Sequence, residues 1–139
     1  METRTLNDRY RQIAEELIDQ EPELVFIKRS KARIAYLSSD APKKSADFAT
    51  LGECEKVQSK NQWAMAYDYT ITVFEKNTQH MDQDQLRVLI FHELLHIDIL
   101  YDKETGGETY GIRKHDLQDF KTIVDRFGVD WAGDKGAVA

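Results

Sequence analysis

The sequence contains few residues that could cross-link the chain or divide it. Of its 139 residues only Cys54 is a cysteine, which excludes an intrachain disulfide and any metal site built from several thiolates. There are only two prolines, and no repeat, low-complexity tract or linker separates two parts of the chain. We therefore expect one domain over residues 1–139, in a reducing compartment.

Long apolar runs and an excess of basic residues are also missing. Residues 1–20 mix charged with apolar side chains, so we expect neither a signal peptide nor a membrane anchor, and no segment predicts a bilayer span. Asp and Glu number 25 against 19 Lys and Arg, a net charge of −6, which argues against nucleic acid as the main partner. A basic patch, residues 28–33 with Lys43 and Lys44, is interpreted as a solvated surface, with a partner contact as the alternative. The expected location is the cytoplasm.

The spacing of apolar residues predicts an α/β chain of the α+β kind. From Leu6 to Ile18 they form one helical stripe, which predicts a first helix. Short runs rich in β-branched and aromatic residues predict strands at Leu24–Ile27, Ile34–Leu37, Phe48–Val57 and Tyr69–Phe74. We expect a small, mainly antiparallel sheet with Tyr69–Phe74 at its edge beside a cleft, where an extended peptide could pair with it.

A central helix is predicted to begin after Asp82, which with Gln85 three residues on suits a capping box. It is predicted to run through Leu100 and is apolar on nearly every side, which is typical of a buried helix. Residues 103–113 contain three glycines without a periodic pattern, so we expect a loop. The first and last helices are expected to cover the central one. The last helix is predicted from an apolar face and from Gly128, which would end it. The face consists of Leu117, Phe120, Ile123, Val124 and Phe127.

The segment His92-Glu93-Leu94-Leu95-His96 matches the pattern H-E-x-x-H and carries the chemistry. On a helix, positions four apart lie on one face about one turn from each other, so both imidazoles can reach one ion. Glu93, about 100° round from His92, then lies beside the metal, which suits a general base acting on water. The alternative is two core histidines beside a buried ion-pair partner, but burying three such groups without a metal is costly.

A catalytic zinc usually has three protein ligands, and the third must come from outside this segment. Ile99 and Asp102 occupy the positions where the longer H-E-x-x-H-x-x-G-x-x-H pattern has its glycine and third histidine. His115 opens the predicted last helix, which must pack on the metal helix, whereas Asp116 lies nearer the middle of its apolar stripe. Asp116 is therefore either the ligand or a residue that orients a ligand imidazole. The other downstream candidates are Glu104, Glu108 and Asp119, of which the two glutamates are expected to be solvated.

A peptidase also needs a group that stabilises the oxyanion. Tyr110 is the candidate, with Tyr101 and His80 as alternatives, although each is also readily explained as a structural residue. Cys54 is not expected to be a nucleophile, because its acidic neighbours raise the pKa of a thiol.

Several segments of the chain resemble the phage metallopeptidase family, compact zincin-like proteins related in style to the SprT-like proteases. The resemblance covers most of the chain after residue 20, and the matching segments are Ala32–Asp40, Leu51–Val57, Tyr69–Phe74, Phe91–Ile99 and Lys114–Phe120. It implies a zincin-like fold, zinc bound by His92, His96 and His115, and Glu93 as catalytic base. It also implies that a phage or prophage encodes the chain, which then acts inside the bacterial host.

The expected function is that of a zinc metallopeptidase, which hydrolyses a protein or peptide substrate through metal-activated water. The alternative is a catalytically silent binding module in which the metal is a structural staple. Such a module would contact a host protein or, through the basic patch, nucleic acid. A structural zinc normally has four protein ligands, so Asp116 or Glu108 as a fourth ligand would favour the alternative.

Overall fold

The computed structural model describes residues 2–45, 48–58 and 66–115, together with residues 123, 126, 127, 131, 137 and 138. The helices in this part are α1 (Asp8–Gln20), α2 (Val25–Lys28) and α3 (Gln83–Leu94), with 3₁₀ turns at Pro22–Leu24 and Glu75–Asn77. The strands are β1 (Arg4–Leu6), β2 (Ile34–Ser39), β3 (Lys44–Ser45), β4 (Phe48–Thr50), β5 (Gly52–Lys56), β6 (Tyr69–Phe74), β7 (Ile97–Tyr101), β8 (Glu108–Ile112) and β9 (Ala137–Val138). None of the described helices is long and apolar enough to cross a bilayer.

The main layer is a four-stranded sheet in the order β1-β2-β6-β5. β1 and β5 pair antiparallel with their neighbours, whereas β2 and β6 are parallel, with Ile34 opposite Tyr69. The chain is therefore α+β as expected, with a mixed sheet. The prediction that β6 is the edge strand is wrong, because β6 lies between β2 and β5. Five of its six residues are buried, as is typical of a strand covered on both faces.

The helices α1 and α3 pack on each other, and α3 also contacts β5 and β6. The predicted first helix is confirmed as α1, and the predicted burial of the central helix is confirmed in α3. The capping box is also as predicted, since Gln85 N donates to Asp82 Oδ1 at 2.8 Å and Asp82 N donates to Gln85 Oε1 at 2.9 Å. The predicted end at Leu100 is wrong. α3 ends at Leu94, because the next residues pair as β7 with β8 in an antiparallel hairpin.

The segment Leu24–Ile27 is helical, and the strand predicted there is wrong. Pro22 begins a 3₁₀ turn that continues into α2, a position that suits proline's fixed φ. Leu24 and Ile27, three residues apart, are both buried, while Val25 between them is 39% exposed. That is a helical pattern of burial, which a run of four apolar residues is too short to reveal.

Two further segments differ from prediction because of the strands with which they pair. Phe48–Val57 is divided at Leu51 into β4 and β5, which belong to different sheets. Residues 103–113, expected to be a loop, contain β8. In the region of the predicted last helix, Ile123, Arg126 and Phe127 are helical and Ile123 is buried. The other residues of that prediction lie outside the described part: Leu117, Phe120, Val124 and Gly128.

Candidate metal centre

The last turn of α3 holds His92 and Glu93, both with no exposed surface. Their burial follows from the composition of the second half of the helix, which is apolar on nearly every side and therefore enclosed. The ring of Trp131 lies 5.8 Å from that of His92, between centroids. Two polar side chains are thus held inside an otherwise apolar core.

His96 lies just beyond the end of α3, in the turn that leads into β7. Its main chain pairs with Arg113, whose N–H donates to His96 O at 2.6 Å. Its imidazole Nδ1 donates to the carbonyl oxygen of the same arginine at 2.7 Å. A carbonyl can only accept, so Nδ1 carries the proton and Nε2 carries the lone pair, the arrangement typical of metal-binding histidines.

His115 completes a cluster of three imidazoles. Its Nε2 lies 2.8 Å from His92 Nε2, and its ring centroid lies 4.4 Å from that of His96. One nitrogen from each of the three rings lies within 4.8 Å of the other two, so the cluster could hold a metal ion. The structure therefore brings together the three histidines predicted as ligands.

The protonation of His96 also suits a ligand. Burial, together with the charges of His92 and His115, lowers its pKa to about 4, although the carbonyl of Arg113 acts in the opposite direction. The imidazole is therefore neutral near pH 7, as metal binding requires.

The carboxylate of Glu93 lies beside the cluster, with Oε1 3.9 Å from His96 Nε2. Gly52, the first residue of β5, makes room for it. A Cβ at position 52 would lie 3.2 Å from Glu93 Oε2 and 3.1 Å from Thr72 O. A glycine within a strand often marks such a close approach, which is the signal that the sequence offers for this contact.

The candidate oxyanion group Tyr110 and the alternative ligand Glu108 contact each other. The Tyr110 hydroxyl donates to Glu108 Oε1 at 2.9 Å, and the same oxygen accepts from Ser30 Oγ and from Lys31 N, each at 3.0 Å. Glu108 therefore lies in a hydrogen-bonded contact between β8 and the chain before β2, and not in the histidine cluster.

The remaining candidates are placed as follows. Tyr101 is 65% exposed on the β7–β8 hairpin, and Glu104 is exposed in its turn. Asp116 and Asp119 lie outside the described residues. The pKa of the Cys54 thiol is raised well above its usual range, first by burial and then by the charges of Glu93 and Glu55. This agrees with the expectation that it is not a nucleophile.

Three of the cations in the basic patch are paired, one of them Lys43 with Glu53. Lys28 Nζ lies 2.5 Å from Asp19 Oδ1, and Arg33 forms a two-pronged ion pair with the buried Asp68, with distances of 3.1 and 3.2 Å. These acidic partners reduce the net positive charge that the patch presents.

A comparison with protein families matches nearly the whole chain. The family described as Putative phage metallopeptidase matches residues 4–138, a range that includes the three histidines and Glu93. No curated protein and no solved structure matches the chain.

Proposed function

The chain belongs to the Putative phage metallopeptidase family, and we propose that it is a zinc peptidase that hydrolyses peptide bonds with Glu93 as general base. The observation that carries this proposal is the convergence of three imidazoles beside a buried carboxylate. We propose further that residues 1–139 form one zincin-like domain. Proteins or peptides are the substrates that the family implies.

The donor set suits zinc. Three imidazole nitrogens match the preference of zinc, whereas magnesium and calcium prefer oxygen ligands. His92, His96 and His115 would hold the ion. A zinc ion with three protein ligands acts as a Lewis acid, polarising a substrate carbonyl and lowering the pKa of water to about 7.

Glu93 would take the proton from the attacking water and deliver it to the leaving amine. The distance of 3.9 Å between Glu93 Oε1 and His96 Nε2 supports this role, because a general base must lie close to the water that it deprotonates. Gly52, which leaves space for the carboxylate, would help to keep it in this position.

Tyr110 stays a proposal for the group that stabilises the oxyanion. Burial is the main cause that raises its pKa to about 12, followed by its hydrogen bond to Glu108. The phenol is thus protonated at neutral pH, as a donor must be. In this structure the hydroxyl donates to Glu108, so it would have to change partner to act on a substrate.

The binding module predicted as the alternative receives less support. Glu108, one of the two fourth ligands that would favour it, lies outside the cluster and holds β8. The ion pairs of Lys28 and Arg33 also weaken the basic patch as a nucleic-acid surface. We propose that the protein acts on proteins inside the bacterial host.

The decisive variant is Glu93→Gln, which keeps the size of the side chain but cannot accept the proton. We expect unchanged zinc content and hydrolysis slower by about 10²- to 10⁴-fold. Substrates would be found by expressing each protein in bacterial cells and comparing new protein N termini across the proteome. Individual cleaved peptides would then give rates.

The matched control is Glu104→Gln, the same chemical change at an exposed position in the hairpin turn. It should cleave at the wild-type rate. If Glu93→Gln cleaved as fast as this control, Glu93 would not be the base. A wild-type protein that binds zinc but produces no new termini would favour the binding module.

A further inference from the structure

The hydroxyl group of Tyr69 joins both strands of the β7–β8 hairpin to the main sheet. Tyr69 begins β6 and has no exposed surface. Its Oη lies 3.0 Å from Asp98 O and 2.9 Å from Gly111 O, and it accepts a hydrogen bond from Gly111 N at 3.0 Å. Asp98 in β7 and Gly111 in β8 are opposite each other. One buried oxygen therefore contacts the main chain of both strands at the same level.

The residues that flank the same hairpin make polar contacts within the metal cluster. Two positions along from the Asp98–Gly111 pair, His96 and Arg113 are hydrogen bonded through their main chains. The carbonyl of Arg113 also accepts from His96 Nδ1. His115 follows two residues later. The position of the hairpin thus determines where the carbonyl that orients His96 lies and where the chain enters the cluster with His115.

The hairpin needs such an anchor, because a two-stranded sheet is marginally stable alone. Two of its apolar side chains are largely exposed to solvent, Leu100 to 63% and Ile112 to 41%. Among the described residues, its side-chain anchors to the rest of the chain include the Tyr69 hydroxyl and the contacts of Glu108 with Ser30 and Lys31. Of these, the Tyr69 hydroxyl is nearer along the hairpin to His96.

We propose that Tyr69 is a positioning residue for the metal centre. Its hydroxyl holds the hairpin so that His96 and His115 converge with His92. The inference rests on the proposed function, because it takes the three histidines as the zinc ligands. Tyr69 lies on a strand far in sequence from the H-E-x-x-H segment. It would act on the site only through the main chain of the hairpin.

The test compares Tyr69→Phe with Tyr36→Phe. Tyr36 is also a buried tyrosine, on the neighbouring strand β2, and among the described residues its hydroxyl makes no hydrogen bond. Both variants lose one oxygen atom from the same core, but only Tyr69→Phe releases the hairpin. Zinc affinity is measured on the purified full-length proteins by competition with a chelator, and the absorption spectrum of the cobalt-substituted proteins reports the geometry of the ligands.

We expect Tyr69→Phe to bind zinc about 10- to 100-fold more weakly than wild type, the usual effect of losing a group that orients a ligand. Its cobalt spectrum should also differ from wild type. Tyr36→Phe should match the wild-type protein in both measurements. Equal affinities and spectra for all three proteins would overturn the role of Tyr69 while leaving the zinc site intact. If the wild-type protein bound no zinc, the proposed function would fail, and this inference with it.

If Tyr69→Phe does not fold, amide hydrogen exchange on the wild-type protein decides instead. An amide that is hydrogen bonded to a buried hydroxyl exchanges only when the structure opens. We expect Gly111 N–H to be strongly protected, to the same degree as Arg113 N–H. Exchange of Gly111 as fast as that of the exposed turn at Gly107 would overturn the proposal.

Discussion

At the scale of single residues, the three imidazoles are held in different ways. His92 is fixed by the packing of α3, whereas His96 is oriented by the carbonyl of Arg113. His115 follows β8, and its Nε2 lies 2.8 Å from that of His92.

We predict that His115→Ala loses zinc as strongly as His92→Ala, because each change removes a ligand nitrogen. Asp116→Ala should weaken zinc binding by only about 10- to 100-fold, the usual effect of losing a residue that orients a ligand. Metal titration of the three variants measures this order. If Asp116→Ala loses the metal and His115→Ala keeps it, the site consists of two histidines and a carboxylate.

Another residue-level interaction joins the two central strands where they begin. Arg33 precedes β2, and Asp68 precedes β6. Asp68 is buried and accepts hydrogen bonds from both the main chain and the guanidinium of Arg33. Burial alone would raise the pKa of Asp68, but the hydrogen bonds from Arg33 outweigh it and hold that pKa below its usual value. The ionised form is therefore favoured in the folded protein.

We predict that Asp68→Asn lowers the free energy of unfolding at pH 7 by about 1–3 kcal/mol. A lowered pKa stabilises the fold fully above the unfolded-state value of about 3.9, and this contribution is lost as the pH falls from there through the lower pKa of the folded state. The difference in free energy of unfolding between variant and wild type should thus shrink below about pH 4. Urea denaturation of both proteins at pH 7 and below pH 4 measures it. Asp19→Asn, which removes an exposed ion pair with Lys28, is the control and should change little at either pH.

At the scale of elements, the site lies where an edge strand, a helix end and a hairpin meet. The first residue of β5 faces Glu93, α3 ends after Leu94, and β7 begins directly after His96. The end of α3 separates the two motif histidines, since His92 lies on the helix and His96 lies beyond it. The helix therefore positions His92, and the start of the hairpin positions His96.

We predict that Gly52→Ala slows hydrolysis by about tenfold without changing zinc content. The added methyl group would meet Thr72 O and Glu93 Oε2 at about 3 Å, so Glu93 or the strand must shift by a few tenths of an ångström. Gly107→Ala, in the exposed hairpin turn, is the control. Wild-type rate and stability in Gly52→Ala would show that the space at position 52 does not matter to Glu93.

At the scale of the whole molecule, a bound ion would link parts of the chain that are far apart in sequence. α3 contributes His92, the turn before β7 contributes His96, and the segment after β8 contributes His115. A ligand that binds only this folded arrangement stabilises the fold by mass action. Zinc should therefore affect stability as well as activity.

We predict that zinc at about 100 times its dissociation constant adds about 2.7 kcal/mol to the free energy of unfolding, less any binding to the unfolded chain. The gain should disappear when a chelator removes the metal. Chemical denaturation with zinc, with chelator and with magnesium in place of zinc measures the effect. His92→Ala should not respond to zinc, and the same zinc response in this variant would place the ion elsewhere.

Local patterns in the sequence determined the elements whose signals lie within one or two turns of chain. The apolar stripe of α1, the capping box at Asp82 and the all-round apolar character of α3 each require only neighbouring residues. The spacing of His92 and His96 likewise indicated that two imidazoles could reach one ion, although His96 lies beyond the end of α3. His115 could be predicted as the third ligand only from its expected place on a packing helix and from the family resemblance. Asp116 stayed an alternative ligand.

Only the tertiary structure decided the features that depend on pairing between distant segments. The interior place of β6 follows from hydrogen bonds between residues far apart in sequence, and the end of α3 at Leu94 follows from the pairing of β7 with β8. The space at Gly52, the carbonyl of Arg113 and the hydroxyl of Tyr69 belong to the same class. Hydrophobic periodicity shows which face of an element is buried but not which element covers it, so these contacts leave no local signal in the sequence.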